Sequence, residues 1–323
     1  MRKITYRTAL NEALYEEMTR DATVFLIGQD IGTYGGAFRV TDGLLAKFGT
    51  KRVIETPISE AAIAGAAVGA AIMGTKPVAE IMFQDFSTLA MDQIFNCGAK
   101  MRYLHAGLVK VPMVIRMPFG AMVGGGAHHC QSIEAMFCHM PGIIVVVPST
   151  PYDAKGLLKL SIRDPNPIIF LEHKLLYGVQ GDVPKEEYTV PLRKAEIKRQ
   201  GKHVTVVTWG LMVNKALAAA VELAEKGVEL EVLDLRTLYP FDKEAIINSV
   251  KKTGKLIIAH EACKTGGFGG EIAAIVSKEA FGYLDAPIER IAALDTPVPF
   301  SPPLLEFFLP NEKNIIDVAQ AMV

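Results

Sequence analysis

The sequence predicts an α/β protein built from two doubly wound domains. Short runs of apolar, often β-branched residues alternate with helical segments along the chain. These runs are continuously apolar, as expected for strands of a parallel sheet that is covered on both faces. The chain has 323 residues, of which 50% are hydrophobic, so it is long enough for two buried cores.

The first block of elements precedes residue 177. Apolar runs predict strands at 24–27, 53–55, 77–81, 113–117, 143–147 and 168–171. Helices are predicted between them at 8–19, 61–73, 88–104 and 152–163. The last of these helices follows Pro151, and proline is favoured where a helix begins.

A connecting segment at 177–202 separates the two blocks. Glycines, prolines and charges replace the periodic pattern there, which is typical of a connection. We therefore predict a first domain at 1–190 and a second at 191–323. In the second domain, strands are predicted at 204–208, 230–233, 256–260 and 288–292, and helices at 213–224, 243–251 and 269–280. Prolines predict an extended tail at 296–303.

Composition excludes several classes of function. The net charge is -1 and no run of Lys or Arg stands out, so neither nucleic acid nor an anionic membrane is expected as a partner. The N-terminus lacks the apolar core of a signal peptide, and the apolar stretch 61–73 is too short to cross a bilayer. We expect a soluble, cytoplasmic protein without a disulfide framework, since the four cysteines form no C-x-x-C pair.

Glu60 is the first candidate functional residue. It follows Thr56-Pro57-Ile58-Ser59 and opens a helix rich in Ala and Gly. The positive end of a packed helix is a place where a carboxyl group can bind and tautomerise a heterocyclic cofactor. Alternatively, Ser59 caps the helix and Glu60 is an ordinary first-turn acid. This segment by itself favours the ordinary first-turn acid, whereas the other motifs of the chain favour the cofactor-binding role.

His129 is the second candidate. It lies in Gly124-Gly125-Gly126-Ala127-His128-His129-Cys130. A histidine on such a loop can act as acid, base or hydrogen-bond donor near neutral pH. The alternative is a histidine that caps a helix beginning near Ser132. The His and Cys residues between 128 and 139 fit no standard zinc spacing.

Two glycine-rich loops give weaker evidence for a ligand-binding site. Neither Gly28-Gln29-Asp30-Ile31-Gly32 nor the segment 266–270 matches a dinucleotide fingerprint or a P-loop. The second loop is interpreted as a tight turn into a helix. Phe86, just after the strand at 77–81, is either a core residue or a flat face for a planar ring.

Five motifs in one order closely resemble a known family. TPISE, AHHCQS, PSTPYDAKGLL, RDPNP and HEACKTGGFGGE resemble the beta subunit of the thiamine-diphosphate-dependent decarboxylating component of 2-oxo acid dehydrogenase complexes. That family includes pyruvate, branched-chain 2-oxo acid and acetoin dehydrogenases. The resemblance runs from about Lys3 to the C-terminus, and it implies a pyrimidine-binding domain followed by a transketolase C-terminal domain.

The resemblance implies a role for each candidate. Glu60 falls on the glutamate that hydrogen-bonds the cofactor's aminopyrimidine and favours its imino tautomer. Phe86 falls on the aromatic residue that stacks on this ring, and Ile58 and Met82 fall on positions that line its pocket. His129 falls on the histidine that contacts the substrate or the reaction intermediate.

The family also implies bound cations and partners. Some members bind potassium through backbone carbonyls that correspond to Met113, Ser161, Ile162, Asp164 and Asn166. The G-D-G motif that holds Mg²⁺ and the diphosphate is absent, so an alpha subunit is expected to supply it. The implied assembly has two alpha and two beta chains docked on a lipoyl acyltransferase core.

The chain departs from the family pattern at two positions. Cys130 replaces the usual serine, and Gln29 replaces a glutamate that belongs to an acidic channel between two active sites. Asp92 could still contribute to such a channel.

Substrate choice is weakly encoded. The segment 172–178 and the AHHCQS loop resemble pyruvate and acetoin members, while HEACKTGGFGGE also resembles branched-chain members. A branched-chain dehydrogenase is therefore the alternative prediction. A stand-alone transketolase-like enzyme and a non-catalytic assembly module are the less favoured hypotheses.

Overall fold

The computed structural model describes the whole chain, Met1–Val323, and the chain divides into two compact units. The first unit comprises Met1–Phe119 and Met136–Leu192, and the second comprises Gly120–Ala135 and Arg193–Val323. The domain boundary between residues 190 and 191 stays a prediction. None of the helices combines the length and the apolar character needed to cross a bilayer.

Strands and helices alternate, which confirms the predicted α/β class. The strands are β1 (Arg2–Thr5), β2 (Val24–Gln29), β3 (Val53–Thr56), β4 (Lys76–Glu80), β5 (Val114–Phe119), β6 (Ile144–Val146), β7 (Ile168–His173), β8 (Gln180–Val183), β9 (Glu196–Arg199), β10 (Val204–Thr208), β11 (Leu230–Asp234), β12 (Thr237–Tyr239), β13 (Leu256–Cys263) and β14 (Glu289–Ala293). The α-helices are α1 (Tyr6–Arg20), α2 (Leu44–Phe48), α3 (Glu60–Ile72), α4 (Ala99–Leu104), α5 (Glu134–Cys138), α6 (Pro151–Arg163), α7 (Leu211–Glu225), α8 (Lys243–Thr253), α9 (Gly269–Glu279), α10 (Pro302–Phe308) and α11 (Glu312–Met322).

The first unit contains a parallel sheet with a topological switch point. Its strands pair in the order β6-β7-β5-β4-β2-β3, and every pairing among them is parallel. The chain passes from β2 to β3 on one side and then returns to place β4 on the other side of β2. Ligands of doubly wound sheets bind beyond the carboxyl ends of the strands at such a reversal.

Helices α1 and α6 of the first unit are joined by buried charges. The ammonium groups of Lys155 and Lys159 are almost fully buried, and each donates to the Glu16 carboxylate at 2.6 Å. Burial by itself would raise the pKa of Glu16, but the hydrogen bonds from the two lysines lower it. The helices are thus paired by charge as well as by apolar packing.

The second unit contains a mixed sheet in the order β14-β13-β10-β11-β9. Its pairings are parallel except for the edge strand β9, which runs antiparallel to β11. Val206, Val232 and Ile257 from the central strands form one core with Ala216 of α7 and Ile315 of α11.

The predicted helix at 88–104 is wrong in its form. The segment folds as a 3₁₀-helix at Gln84–Ala90, a π-helix at Asp92–Gly98 and then α4. A Cβ atom at Gly98 would lie 2.8 Å from the Met113 side chain, so the chain passes very close to β5 here. Side-chain periodicity cannot distinguish these helix types over seven residues, because their periods differ too little.

The predictions at both connecting regions also need correction. The tail at 296–303 is not extended throughout, because α10 begins at Pro302, where the missing N–H and fixed φ of proline suit a first turn. The segment 177–202 contains β8 and β9. Both strands are short and largely polar, and β8 pairs only with β1 in an antiparallel ribbon, so neither has the apolar pattern of a central strand.

Candidate active site

The carboxyl edge of the first sheet brings three loops together. These loops follow β2, β3 and β4, which are adjacent parallel strands. The first begins at Gln29, whose side-chain amide donates to the Asp30 carboxylate at 3.3 Å. The other two lead to Glu60 and to the segment 82–86. Candidates that are distant in sequence therefore share one end of the sheet.

Glu60 is the first residue of α3 and is 8% exposed. Ser59 occupies the N-cap position, but its side chain makes no capping hydrogen bond. The alternative in which Ser59 caps the helix is therefore not supported. The partial positive charge of the helix N-terminus acts on a carboxyl group that is shielded from water. Ile58, two residues before Glu60, is 73% exposed.

The segment Met82–Phe86 brings aromatic rings to the same end of the sheet as Glu60. Met82, Phe83 and Phe86 are each partly exposed, and the 3₁₀-helix Gln84–Ala90 packs against α3. The Phe83 ring is held by the Phe38 ring, with centroids 5.8 Å apart, and by Lys174 Nζ, 4.6 Å from its centroid.

A buried ion network supports this segment from the sheet. Arg116 donates to Glu80 at 2.5 Å and makes two 2.7 Å hydrogen bonds to Glu172. The Tyr177 hydroxyl also donates to Glu172 at 2.7 Å, and its ring stacks on Phe38 at 4.5 Å. Burial would lower the pKa of Arg116, but the two carboxylates raise it.

This buried ion network was not among the predictions from the sequence. The sequence nevertheless contains a sign of this network, because charged residues of opposite sign, Glu80 and Arg116, interrupt the apolar runs of two strands. Glu80 and Arg116 are direct partners in the β4–β5 register. Since charged residues are rarely buried unless they are paired, each of them indicated a partner on an adjacent strand.

The residues implied for potassium lie at the opposite edge of the sheet. Met113 precedes β5, and Ser161, Ile162, Asp164 and Asn166 precede β7, its parallel neighbour. The Met113 carbonyl accepts from Ile168 N at 2.9 Å, and the Asp164 carboxylate accepts from the Asn166 backbone at 2.9 Å. A cation bound here would stabilise structure and would not take part in chemistry at the other edge.

His129 lies in the second unit, on the segment Gly120–Ala135, which we call the histidine loop. His128 and His129 are both exposed at the end of a short 3₁₀-turn, Gly126–His128. Helix α5 begins at Glu134, five residues beyond His129. The alternative role of His129 as a helix cap stays a prediction.

Buried polar groups surround Glu134, near the C-terminal end of the histidine loop. The Trp209 indole donates to Glu134 at 3.1 Å and stacks on His260, with ring centroids 5.3 Å apart. Burial lowers the pKa of His260 to about 4, so this ring is neutral at pH 7. A Cβ atom at Gly267 or Gly269 would lie 2.6–2.7 Å from the His260 ring. Only glycine therefore fits at these two positions, where the chain turns into α9.

Glu134 should make stability depend on pH. Burial raises its pKa from 4.5 to about 7, and its hydrogen bond to Trp209 only partly offsets this. At pH values between 4.5 and about 7, the folded state binds more protons at Glu134 than the unfolded state does. The free energy of unfolding therefore falls as the pH rises. We expect the unfolding free energy of Glu134→Gln, relative to wild type, to increase by about 3 kcal/mol between pH 4.5 and pH 8.

Urea unfolding followed by the fluorescence of Trp209, the single tryptophan, measures this difference in the second unit. A matched Glu271→Gln variant, on an exposed first-turn acid of α9, should show no such trend. A difference between Glu134→Gln and wild type that stays constant with pH would contradict the expectation.

The residues of the first unit fit one half of the implied cofactor. They provide a buried carboxyl group, an aromatic face and apolar side chains, which suit an aminopyrimidine ring. The G-D-G motif that holds the diphosphate half in the resembled family is absent from this chain. No group of three or more His, Cys, Asp or Glu side chains is arranged to hold a metal ion, and two phosphates need a cation or several donors.

Comparison with protein families identifies two matching domains. Residues 2–180 match the model described as the transketolase pyrimidine-binding domain, and residues 193–315 match the transketolase C-terminal domain.

Curated relatives match along nearly the whole chain. It is 46% identical to the 2-oxoisovalerate dehydrogenase subunit beta of Bacillus subtilis, covering 98% of this chain and 97% of the relative. It is also 46% identical to the acetoin:2,6-dichlorophenolindophenol oxidoreductase subunit beta of Cupriavidus necator, covering 99% and 97%. The pyruvate dehydrogenase E1 component subunit beta of Rickettsia conorii is 46% identical, covering 98% of both chains. Among solved structures, a split-gene transketolase, described as an inactive beta4 tetramer, matches with a TM-score of 0.81 and 25% identity over 99% of this chain and 98% of that chain.

Proposed function

The chain belongs to the family of beta subunits of thiamine-diphosphate-dependent 2-oxo acid dehydrogenases, and we propose that it forms the pyrimidine half-site of a pyruvate or acetoin dehydrogenase. The observation that carries this proposal is the buried carboxyl group of Glu60 at the N-terminus of α3, a helix that packs against the 3₁₀-helix Gln84–Ala90. A branched-chain 2-oxo acid dehydrogenase is the second candidate, because the relatives of all three types are equally similar, at 46% identity.

Glu60 is proposed to hold a proton at the pyrimidine ring. When bound, thiamine diphosphate supplies a thiazolium carbon that attacks the substrate carbonyl and accepts the electrons of the broken carbon–carbon bond. Glu60 shares a proton with a ring nitrogen and so determines which tautomer the aminopyrimidine adopts. Its burial strengthens this hydrogen bond, because water does not compete for it.

The neighbouring side chains are proposed to orient the ring. Phe86 offers a face for stacking, while Ile58 and Met82 complete an apolar wall. His129 is proposed to contact the substrate as a proton donor or acceptor. A histidine side chain can donate or accept a hydrogen bond and can transfer a proton.

An alpha subunit is proposed to supply Mg²⁺ and the diphosphate site. Two observations support this partner. The chain lacks both the G-D-G motif and a metal-binding cluster. In addition, α3 exposes a face of small residues, namely Ala62, Ala66 and Gly69, which would let another backbone approach closely. We propose two alpha and two beta chains docked on a lipoyl acyltransferase core, which accepts the acyl group.

The two remaining hypotheses are disfavoured. A stand-alone transketolase-like enzyme would need its own diphosphate site, which this chain lacks. A non-catalytic module has no use for a buried acid at the switch point of the sheet. Potassium bound through Met113, Ser161, Ile162, Asp164 and Asn166 is proposed as a structural ion.

The test is co-expression with an alpha subunit of this family. Dye-linked turnover of pyruvate, acetoin and 3-methyl-2-oxobutanoate is then measured with thiamine diphosphate and Mg²⁺, in potassium and in sodium buffers. We expect turnover only when both chains are present, and a higher thermal midpoint in potassium. A chain that never binds an alpha subunit would contradict the proposal, and turnover of 3-methyl-2-oxobutanoate alone would select the second candidate.

A further inference from the structure

One carboxylate holds both ends of the histidine loop. Glu261, on β13, is 8% exposed. Its Oε1 atom accepts from the Ala121 backbone N–H at 2.6 Å and from the Ser132 hydroxyl at 3.4 Å. Ala121 and Ser132 stand near the two ends of Gly120–Ala135. Hydrogen bonds to a charged acceptor are stronger than those between neutral groups, so Glu261 acts as a clamp on the loop.

The loop is also braced across its middle. The Cys130 thiol accepts from Met122 N at 3.3 Å and donates to the Met122 carbonyl at 3.5 Å. Gly120 N donates to the Gln131 carbonyl at 3.3 Å. A Cβ atom at Gly125 would lie 2.2 Å from Cys130 Sγ, so the glycine lets the thiol pack directly on the backbone. His129 immediately precedes this brace.

The loop needs such restraints because of its composition. Three consecutive glycines, Gly124–Gly126, lose more conformational freedom on ordering than other residues do. A cavity of about 470 Å³ lies beside the loop and is bordered by Cys130, Ser132, Glu261 and Asp295. If the clamp were released, solvent and small reagents in this cavity would reach the Cys130 thiol, which is now 1% exposed.

We propose that Glu261 is a positioning residue for His129, because it ties the ends of the histidine loop together. The catalytic part of this inference rests on the substrate contact proposed for His129. The clamp itself is a property of the second unit and can be measured without that assumption. In this proposal Glu261 acts through its hydrogen bonds to Ala121 and Ser132.

The experiment compares Glu261→Ala and the milder Glu261→Gln with Asp295→Asn. Asp295 borders the same cavity, but its carboxylate bonds Thr265 outside the loop. Alkylation of Cys130 by iodoacetamide is followed by mass spectrometry of its peptide. We expect at least tenfold faster alkylation in Glu261→Ala, a smaller increase in Glu261→Gln and no change in Asp295→Asn. Unchanged protection of Cys130 in both Glu261 variants would overturn the clamp.

Turnover of the alpha–beta complex distinguishes positioning from general stability. We expect Glu261→Ala to lower kcat at least tenfold in the wild-type background, and less than twofold when His129 is already alanine. Equal losses in both backgrounds would overturn the positioning role. Full activity of His129→Ala alone would instead refute the proposed function of His129, and the alkylation result would still decide whether Glu261 holds the loop.

Discussion

The Glu60→Gln variant of the alpha–beta complex is expected to lose about 10²–10⁴-fold in kcat. The amide has almost the same size as the carboxyl group, so the packing of α3 should be kept. It cannot exchange a proton with the pyrimidine ring, and this loss corresponds to about 3–5 kcal/mol of transition-state stabilisation. Dye-linked turnover under saturating thiamine diphosphate and Mg²⁺ measures the effect.

Glu244→Gln is the matched control for this variant. Glu244 is likewise an acid in the first turn of a helix, α8, but it is exposed. It should leave kcat unchanged. The Glu60→Gln chain should still assemble with the alpha subunit, which size-exclusion chromatography can verify. A folded Glu60→Gln complex with wild-type turnover would revive the non-catalytic hypothesis.

Replacing Arg116 with methionine should lower the unfolding free energy by about 3–5 kcal/mol. Arg116 is 1% exposed, and its removal leaves the Glu80 and Glu172 carboxylates buried without a cation. Burial already raises the pKa of Glu80, and the Glu172 charge raises it further. Without Arg116, Glu80 should hold its proton to higher pH, so the loss of stability should be smaller at pH 5 than at pH 8.

The matched control is the triple variant Glu80→Gln, Arg116→Met, Glu172→Gln. It removes all the buried charges together, and replacing a buried ion network by neutral groups of similar volume is often tolerated. Urea unfolding followed by far-ultraviolet circular dichroism should show most of the lost stability restored. A triple variant that is as unstable as Arg116→Met would mean that the shape of the arginine, and not its charge balance, stabilises the sheet.

The Arg116 network also explains how the fold supports the candidate site. Tyr177 links the network to Phe38, and the Phe38 ring contacts Phe83 at the edge of the aromatic segment. Loss of Arg116 should therefore loosen the segment 82–86 as well as the sheet. Hydrogen exchange of the amides in this segment would detect that change.

The α/β class, the family and the parallel strands of both central sheets could be predicted from the sequence alone, whereas the antiparallel edge strand β9 could not. The strand predicted at 204–208 is found at Val204–Thr208, and the helix predicted at 61–73 is α3, Glu60–Ile72. Such elements can be predicted from short stretches of sequence, since continuous apolar runs and helix-start residues act within a few positions of the chain. Glu60 could be singled out for the same reason, because its place at the start of a small-residue helix is a local pattern. Its chemical role stays a prediction.

Tertiary structure alone decided which distant groups meet. The pairing of Glu80 with Arg116 depends on the register of β4 and β5, and the clamp of Glu261 on Ala121 and Ser132 joins residues about 130–140 positions apart. No local pattern encodes such contacts, because they follow from the order of the strands and from loop closure. The same holds for the broken helix at 84–104, which the close approach of Gly98 to Met113 accompanies. The sequence by itself thus determined the parallel strands, the family and the candidate residues. Only packing decided the network beneath them, because the energy of a buried charge depends on which partner the fold brings to it.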